Sequence, residues 1–183
     1  QHDHYIKQTY RNRCTIAGPD GELALSIPTV KPDTLKCPMK DIRISDHGNW
    51  RHLHWNAIES AYNNTPFFEY YKDDFRPFYE KKYEFLIDFN EEICRLVCQL
   101  IDIQPNIERT SAYKMEFSAE ETDFRESIHP KKDFRTTDPE FSPQPYYQVF
   151  ESKLGFLPNL SIIDLLFNMG PESLLVLKKP TRL

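Results

Sequence analysis

From Asn49 to Asn64 the chain reads NWRHLHWNAIESAYNN. At about 100° per residue the polar positions His52, Asn56, Glu59 and Asn63 collapse into one narrow stripe. The opposite arc collects Trp50, Leu53, His54, Trp55, Ala57, Ile58, Ala61 and Tyr62, which predicts an amphipathic helix with these residues turned inward. Asn49 or Ser45 can cap its start, and Pro66 keeps it from running on. Two nitrogen-rich side chains fall on the apolar side, His54 near its middle and Arg51 beside Trp55 and Ile58. Burial without partners is costly for both, so each needs an acceptor or must line a cavity.

Upstream, Cys14 and Ile16 alternate with Arg13 and Thr15, and Leu23, Leu25 and Ile27 share one face of a second run. Gly18-Pro19-Asp20-Gly21 between them supplies turn residues, so the pair reads as a β-hairpin. The proline-punctuated PTVKPDTLKCPMK predicts an extended surface loop, and Asp41 to Ser45 a short strand burying Ile42 and Ile44. Downstream, PFFEYYKDDFRPFYE predicts two short helices, with Pro66 and Pro77 at possible first positions. Lys82 to Ile103 reads as a longer helix burying Leu86, Phe89, Ile93, Leu96, Val97 and Leu100, with Asn90 inside that arc. Residues 104–146 are polar and carry one candidate strand at Glu108 to Tyr113. In the last unit Ser161 and Asp164 have capping-box spacing, and Gly170-Pro171 ends one helix and opens another. Strands gathered early and helices late predict an α+β fold: a small, largely antiparallel sheet from the N-terminal half packed against helices from the C-terminal half. A chain of 183 residues with 39% hydrophobic content is expected to form one domain over 1–183.

Composition removes several functions. A net charge of -5 without a basic run gives no field for nucleic acid, and no apolar stretch is long enough to span a bilayer. None of the five glycines belongs to a phosphate-cradling or nucleophile-elbow motif, so no cofactor is named by the sequence. The four cysteines lack CxxC spacing, which suits a reducing, cytoplasmic setting and small buried core thiols, and no metal is expected.

His54 is the leading candidate for acid-base chemistry, because imidazole titrates near neutrality. Tyr62, two turns on, is expected to share its pocket and donate a proton, and Asp164 could orient a base or simply cap a helix with Ser161. On an extended backbone Lys7, Thr9, Arg11 and Arg13 would share one face, a cationic row suited to phosphate or carboxylate. The aromatic PFFEYYKDDFRPFYE segment offers the alternative of a non-catalytic glycan- or protein-binding module.

The KQTYRNR run at Lys7 to Arg13, the hairpin ending LSIP at Pro28, WRHLHWNAIESAYNNTPFF, the Asn90 helix, and Tyr147-Gln148-x-Phe150 followed by GFLPNLSIIDLLFNMGP together resemble the WbqC-like family of bacterial proteins. The resemblance spans nearly the whole chain. It implies a place in O-antigen or related surface-polysaccharide assembly. The activity it suggests is an acyl or aminoacyl, possibly glycyl, transfer to an amino sugar, with a nucleotide-sugar or acyl donor as small-molecule substrate. Positions matching the family's blocks are His54, Tyr62 and Asp164 for catalysis, with Lys7, Asn12, Arg13, Asn90 and Ser161 for substrate. Arg51 joins the substrate set from its place on the helix. Relatives open on an HQPxYFP-type strand that is absent here, so a first strand is expected to lie outside this sequence, and the YLSG-like stretch of many relatives has no counterpart in residues 114–145.

Overall fold

The computed structural model describes residues 1–34, 36–137 and 142–178. Strands β1 (Arg13–Gly18) and β2 (Gly21–Ser26) pair antiparallel, with Arg13 opposite Ser26 and Gly18 opposite Gly21. The turn falls on Pro19-Asp20, where the sequence puts it. Among the described residues this hairpin is the whole sheet. Ile42 and Ile44 are buried as their alternation requires, but their segment makes only single bridges, Thr29 to Ile44 and Arg43 to Phe85, in place of the expected strand. Pro28 and Pro32 flank the first bridge and have no N–H with which to lengthen a ladder.

The helices are α1 (Trp50–Tyr62), α2 (Phe68–Phe75), α3 (Pro77–Glu80), α4 (Leu86–Leu100), α5 (Phe134–Thr137), α6 (Glu151–Leu154), α7 (Ile162–Met169) and α8 (Ser173–Lys178). This is the α+β arrangement the hydrophobic pattern implies. In α1, Trp50, His54, Trp55, Ile58, Ala61 and Tyr62 are buried, whereas Leu53, at the margin of the apolar arc, is 58% exposed. Neither anticipated cap forms at its start: Asn49 is left-handed (φ 49°) and caps with no side-chain hydrogen bond. Pro77 opens α3 at its first turn, while the helix expected at Pro66 starts at Phe68. Residues 108–113 form no strand. They lie exposed against the N-terminal segment, with Gln1 Nε2 donating to the Thr110 carbonyl (2.7 Å) and His4 stacked on Tyr113 (4.6 Å).

Two apolar clusters make the core. One gathers Ile16, Leu25, Trp55, Ile58, Tyr62, Phe68, Phe75, Val97, Ile163, Leu166 and Phe167; the other gathers Tyr5, Ile27, Ile42, Ile44, Trp50, Phe78, Tyr83, Leu86 and Phe89. Tyr79 of α3 and Ile93 and Leu96 of α4 pack against both. Between α7 and α8, Gly170 has φ +54°, and a Cβ there would overlap the Phe67 ring, which accounts for glycine at that position.

Candidate functional site

A cavity of about 300 Å³ lies between the hairpin, α4 and the start of α7. Residues at the base of the hairpin bring Asn12, Arg13, Cys14, Leu25 and Ile27 to it, α1 brings His54, α4 brings Phe89, Asn90, Ile93, Cys94, Val97 and Cys98, and the start of α7 brings Ser161, Ile162 and Ile163. Five candidate residues thus meet at one place: His54, Asn12, Arg13, Asn90 and Ser161.

Each is held by main chain or by a neighbour. Asn12 closes the hairpin base, its main-chain oxygen accepting from Ile27 N (2.8 Å) and its Nδ2 donating to the Ile27 carbonyl (2.9 Å). Its Oδ1 is buried without a hydrogen-bond partner. Arg13 Nε donates to Ser26 Oγ (2.9 Å), and among the described residues no carboxylate pairs with this half-buried guanidinium. Asn90 Nδ2 donates to the Arg11 carbonyl (2.8 Å), leaving its amide oxygen to other donors. Ser161 precedes α7 and hydrogen-bonds the Cys14 thiol, which burial nevertheless pushes up to about 11. Cys14 is therefore a neutral thiol here, not a nucleophile.

His54 is buried against Trp50 (5.2 Å between ring centroids) and Tyr79 (6.4 Å) and bonds to the Ser26 main chain. Burial lowers its pKa to about 4, only partly offset by that bond. The imidazole is neutral at physiological pH, and with one N–H given to Ser26 its other nitrogen is an acceptor. The linkage has a sign that can be measured. An unfolded chain takes up the His54 proton near pH 6.5, whereas the native protein refuses it until about pH 4. Stability is therefore expected to fall as pH drops from about 6.5 to about 4, by on the order of 3 kcal/mol at about 1.4 kcal/mol per unit. Urea titrations at pH 7 and pH 4.5 should show a drop in wild type that His54→Gln lacks in large part; equal drops would refute it.

Tyr62 and Asp164 lie elsewhere. Both are fully buried, and neither lines the cavity, so the expected pocket shared by His54 and Tyr62 does not form. Tyr62 OH donates to Asp164 Oδ1 (2.8 Å) and accepts from Ala17 N (3.2 Å). Tyr146 OH (2.7 Å) and Gln148 Nε2 (3.1 Å) donate to Asp164 Oδ2. Burial, then the adjacent Asp164 charge, drives the Tyr62 phenol far above its usual range and unfits it as a proton donor. Burial also raises the Asp164 carboxyl, while the Tyr146, Tyr62 and Gln148 hydrogen bonds pull it down. The capping box is absent too. Ser161 caps α7 without a side-chain bond, only its carbonyl accepting from Asp164 N (2.9 Å), and the Asp164 carboxylate serves these three donors instead.

The cationic row dissolves because residues 7–12 turn rather than extend, with Gln8 at φ 61°. Lys7 is exposed and lines none of the described cavities, and Arg11 pairs with Asp3. Arg51 lines another hollow, of about 350 Å³, and itself pairs with Asp46 (2.7 Å) and lies over Trp50 (4.8 Å). The cysteines are not all core residues: Cys94 is exposed, and both it and Cys98 line the cavity. Sequence reasoning missed Tyr10, which reaches the cavity from the turn region, and Gln148; a buried carboxylate at Asp164 would have demanded such a donor. The aromatic segment is mostly interior, since Phe68, Phe75 and Phe78 are buried and Tyr70 alone of its rings is largely exposed.

Alongside the cavity runs a groove of about 1140 Å³ bordered by Glu91, Arg95, Gln99, Asp102, Gln104 and Arg109. Asn90, Cys94 and Cys98 line both spaces.

A two-stranded hairpin laid on helices, with an uncharged imidazole and a guanidinium lining one ligand-sized cavity, defines a small α+β protein. The model of the WbqC-like protein family matches residues 1–131, and the chain belongs to that family. An uncharacterised protein of Mycobacterium tuberculosis (strain ATCC 25618 / H37Rv), Rv1507c, is 24% identical over 189 residues, covering 92% of this chain and 81% of that protein. No solved structure gives a significant match. Asn12, Arg13, His54 and Asn90 fall inside the family match, and Ser161 and Asp164 fall beyond it. No described helix is long and apolar enough to cross a membrane.

Proposed function

We propose that this protein transfers an acyl or aminoacyl group to the amine of a nucleotide-linked amino sugar during bacterial surface-polysaccharide assembly, in the cytoplasm. The observation that carries the reading is the meeting of a neutral His54 with Arg13, which has no carboxylate partner among the described residues, in one cavity beside a groove of mixed polar and apolar lining. The amine nitrogen attacks the acyl carbonyl of a thioester, forming the C–N bond; the C–S bond breaks and the leaving thiolate takes the proton the amine gives up. His54 accepts a hydrogen bond from that amine, which aims its lone pair at the carbonyl. Arg13 holds a phosphate or carboxylate of the bound substrate. Tyr62 and Asp164 act through the fold in this reading, by fixing α7 and with it one wall of the cavity.

The test is a thermal-shift screen with nucleotide-linked amino sugars and acyl donors, followed by a transfer assay on any pair that raises the melting temperature. His54→Gln, which keeps an amide donor for Ser26, is expected to bind both substrates and to lose about a hundredfold in kcat. Absence of any shift, or a His54→Gln enzyme with full kcat, would overturn the reading. The binding-module alternative needs exposed aromatics on the 66–80 segment, and their burial weighs against it.

A further inference from the structure

The wall of the inner cavity is not built like a sugar site. A sugar presents hydroxyls on all sides and loses affinity wherever they face carbon, yet Leu25, Ile27, Phe89, Ile93, Val97 and Ile163 offer nothing else. Tyr10 and Cys94 are the exposed lining residues, and Asn12, Arg13, Asn90 and Ser161 are half-buried, with Ile93 and Ile162 beside them. The polar ones mark the mouth. The groove beyond Asn90 is mixed, with Glu91, Arg95, Gln99, Asp102, Gln104 and Arg109 set among Met39, Ile87, Ile103 and Ile107, so it offers the polar partners that the inner wall lacks.

We infer that the inner cavity is an acyl pocket, which takes a straight hydrocarbon chain with its polar end held at the mouth by Arg13 and Asn90 while the sugar lies in the groove. The inference rests on the transferase reading for the direction of transfer, but occupancy of the cavity is tested by binding alone. Size sets the chain. A hollow of about 300 Å³ has room for about ten water-sized groups at about 30 Å³ each, hence an acyl group of about six to eight carbons with its head. The remaining polar groups of the wall suit such a guest. Cys14 is a neutral thiol bonded to Ser161, so no charge faces the hydrocarbon from within, and His54, tied to the same Ser26 as Arg13, borders the head of the guest, where the amine arrives. The one guanidinium stands where a carboxylate or thioester head would end.

Isothermal titration with butanoate, hexanoate, octanoate and decanoate, and with the matching S-acyl N-acetylcysteamine thioesters, reads this directly. Affinity is expected to rise about fourfold per methylene, the equivalent of about 0.8 kcal/mol, and to stop rising near eight carbons. A rise in either series supports the pocket, and the series that shows it says whether the guest arrives as a free acid or as a thioester. Ile93→Trp should abolish the length dependence by filling the space, and Ile93→Ala should move the break to longer chains, so one of the two stays informative if the other does not fold. Arg13→Gln should weaken the carboxylates about tenfold and the thioesters far less. Affinity flat across both series, or a length dependence unchanged by either Ile93 variant in folded protein, would overturn the inference. Length-dependent binding without transfer would sink the transferase reading alone; nucleotide-sugar binding with a flat series would sink the acyl pocket alone.

Discussion

Asp164→Ala is expected to cost about 3–5 kcal/mol of folding stability, enough to leave little native protein at 37 °C if the chain has ordinary marginal stability. The substitution removes no large apolar surface; its cost is the stranding of donors. Tyr62 OH, Tyr146 OH and Gln148 Nε2 all converge on one carboxylate, and Tyr62 has no exposure through which water could substitute. An orphaned buried donor costs about 1–3 kcal/mol, and Tyr146, only part-buried, can recover some of its share from solvent. Gln148 also clasps Leu157 at both ends of its amide, accepting from Leu157 N (2.8 Å) and donating to the Leu157 carbonyl (2.9 Å). Losing the carboxylate should therefore loosen residues 146–157 as well as α7. Hydrogen exchange would show that loosening before global unfolding. Asp164→Asn keeps one oxygen acceptor but turns an amide donor toward other donors, so an intermediate loss is expected. A urea midpoint in Asp164→Ala equal to wild type would refute this account and return the residue to candidacy for chemistry.

Phe167→Ala should cost a similar amount, about 3–5 kcal/mol, for a different reason. The ring has no exposure and is ringed by Phe68 at 5.1 Å, Tyr62 at 5.2 Å and Phe75 at 5.3 Å, each met edge to face or close to it. Truncation leaves a hollow walled by α1, α2 and its own helix, which cannot all collapse inward at once. Phe167→Leu, which retains most of the volume, should lose less than half as much, and chemical denaturation of the pair separates lost volume from lost ring geometry. Tyr62 touches both Phe167 and Asp164, so the double variant should lose less than the sum of the singles by 0.5 kcal/mol or more, an estimate set by the usual coupling of contacting sites. Strict additivity would mean that the polar network and the aromatic cluster act independently.

The helices were legible because their periodicity reports burial directly. Trp50, Trp55, Ile58, Ala61 and Tyr62 point inward as the 3.6-residue pattern requires, and Asn90 hydrogen-bonds a main-chain carbonyl as a half-buried amide should. Leu53 misleads because an apolar residue at the margin of a stripe is buried only if another element lies over it, and among the described residues none does. The strands outside the hairpin fail for a related reason: alternation at Ile42 and Ile44 specifies which face is buried, but a ladder also needs a partner with N–H groups to offer. At the site, His54 was visible as a nitrogen-bearing side chain on the apolar face of a helix, and Arg13 as part of a cationic run. Lys7 was misplaced with Arg13 because their common face presumed an extended backbone, and the turn at Gln8 breaks it. Tyr62 and His54 share a helix and yet serve different rooms: Tyr62 lies in the cluster with Phe167, while His54 lines the cavity against Trp50 and Tyr79.

Ser26 is the hinge-pin of the cavity. Its hydroxyl accepts from Arg13 Nε, its main chain holds the His54 ring, and in the hairpin it is paired opposite Arg13 itself. The spacing between cation and imidazole is thus dictated by strand alignment rather than by two flexible side chains finding each other. A slip of one residue along that ladder would swing Arg13 to the outer face. The aligned hairpin thus sets Arg13, and α1 docking on Ser26 brings His54 beside it.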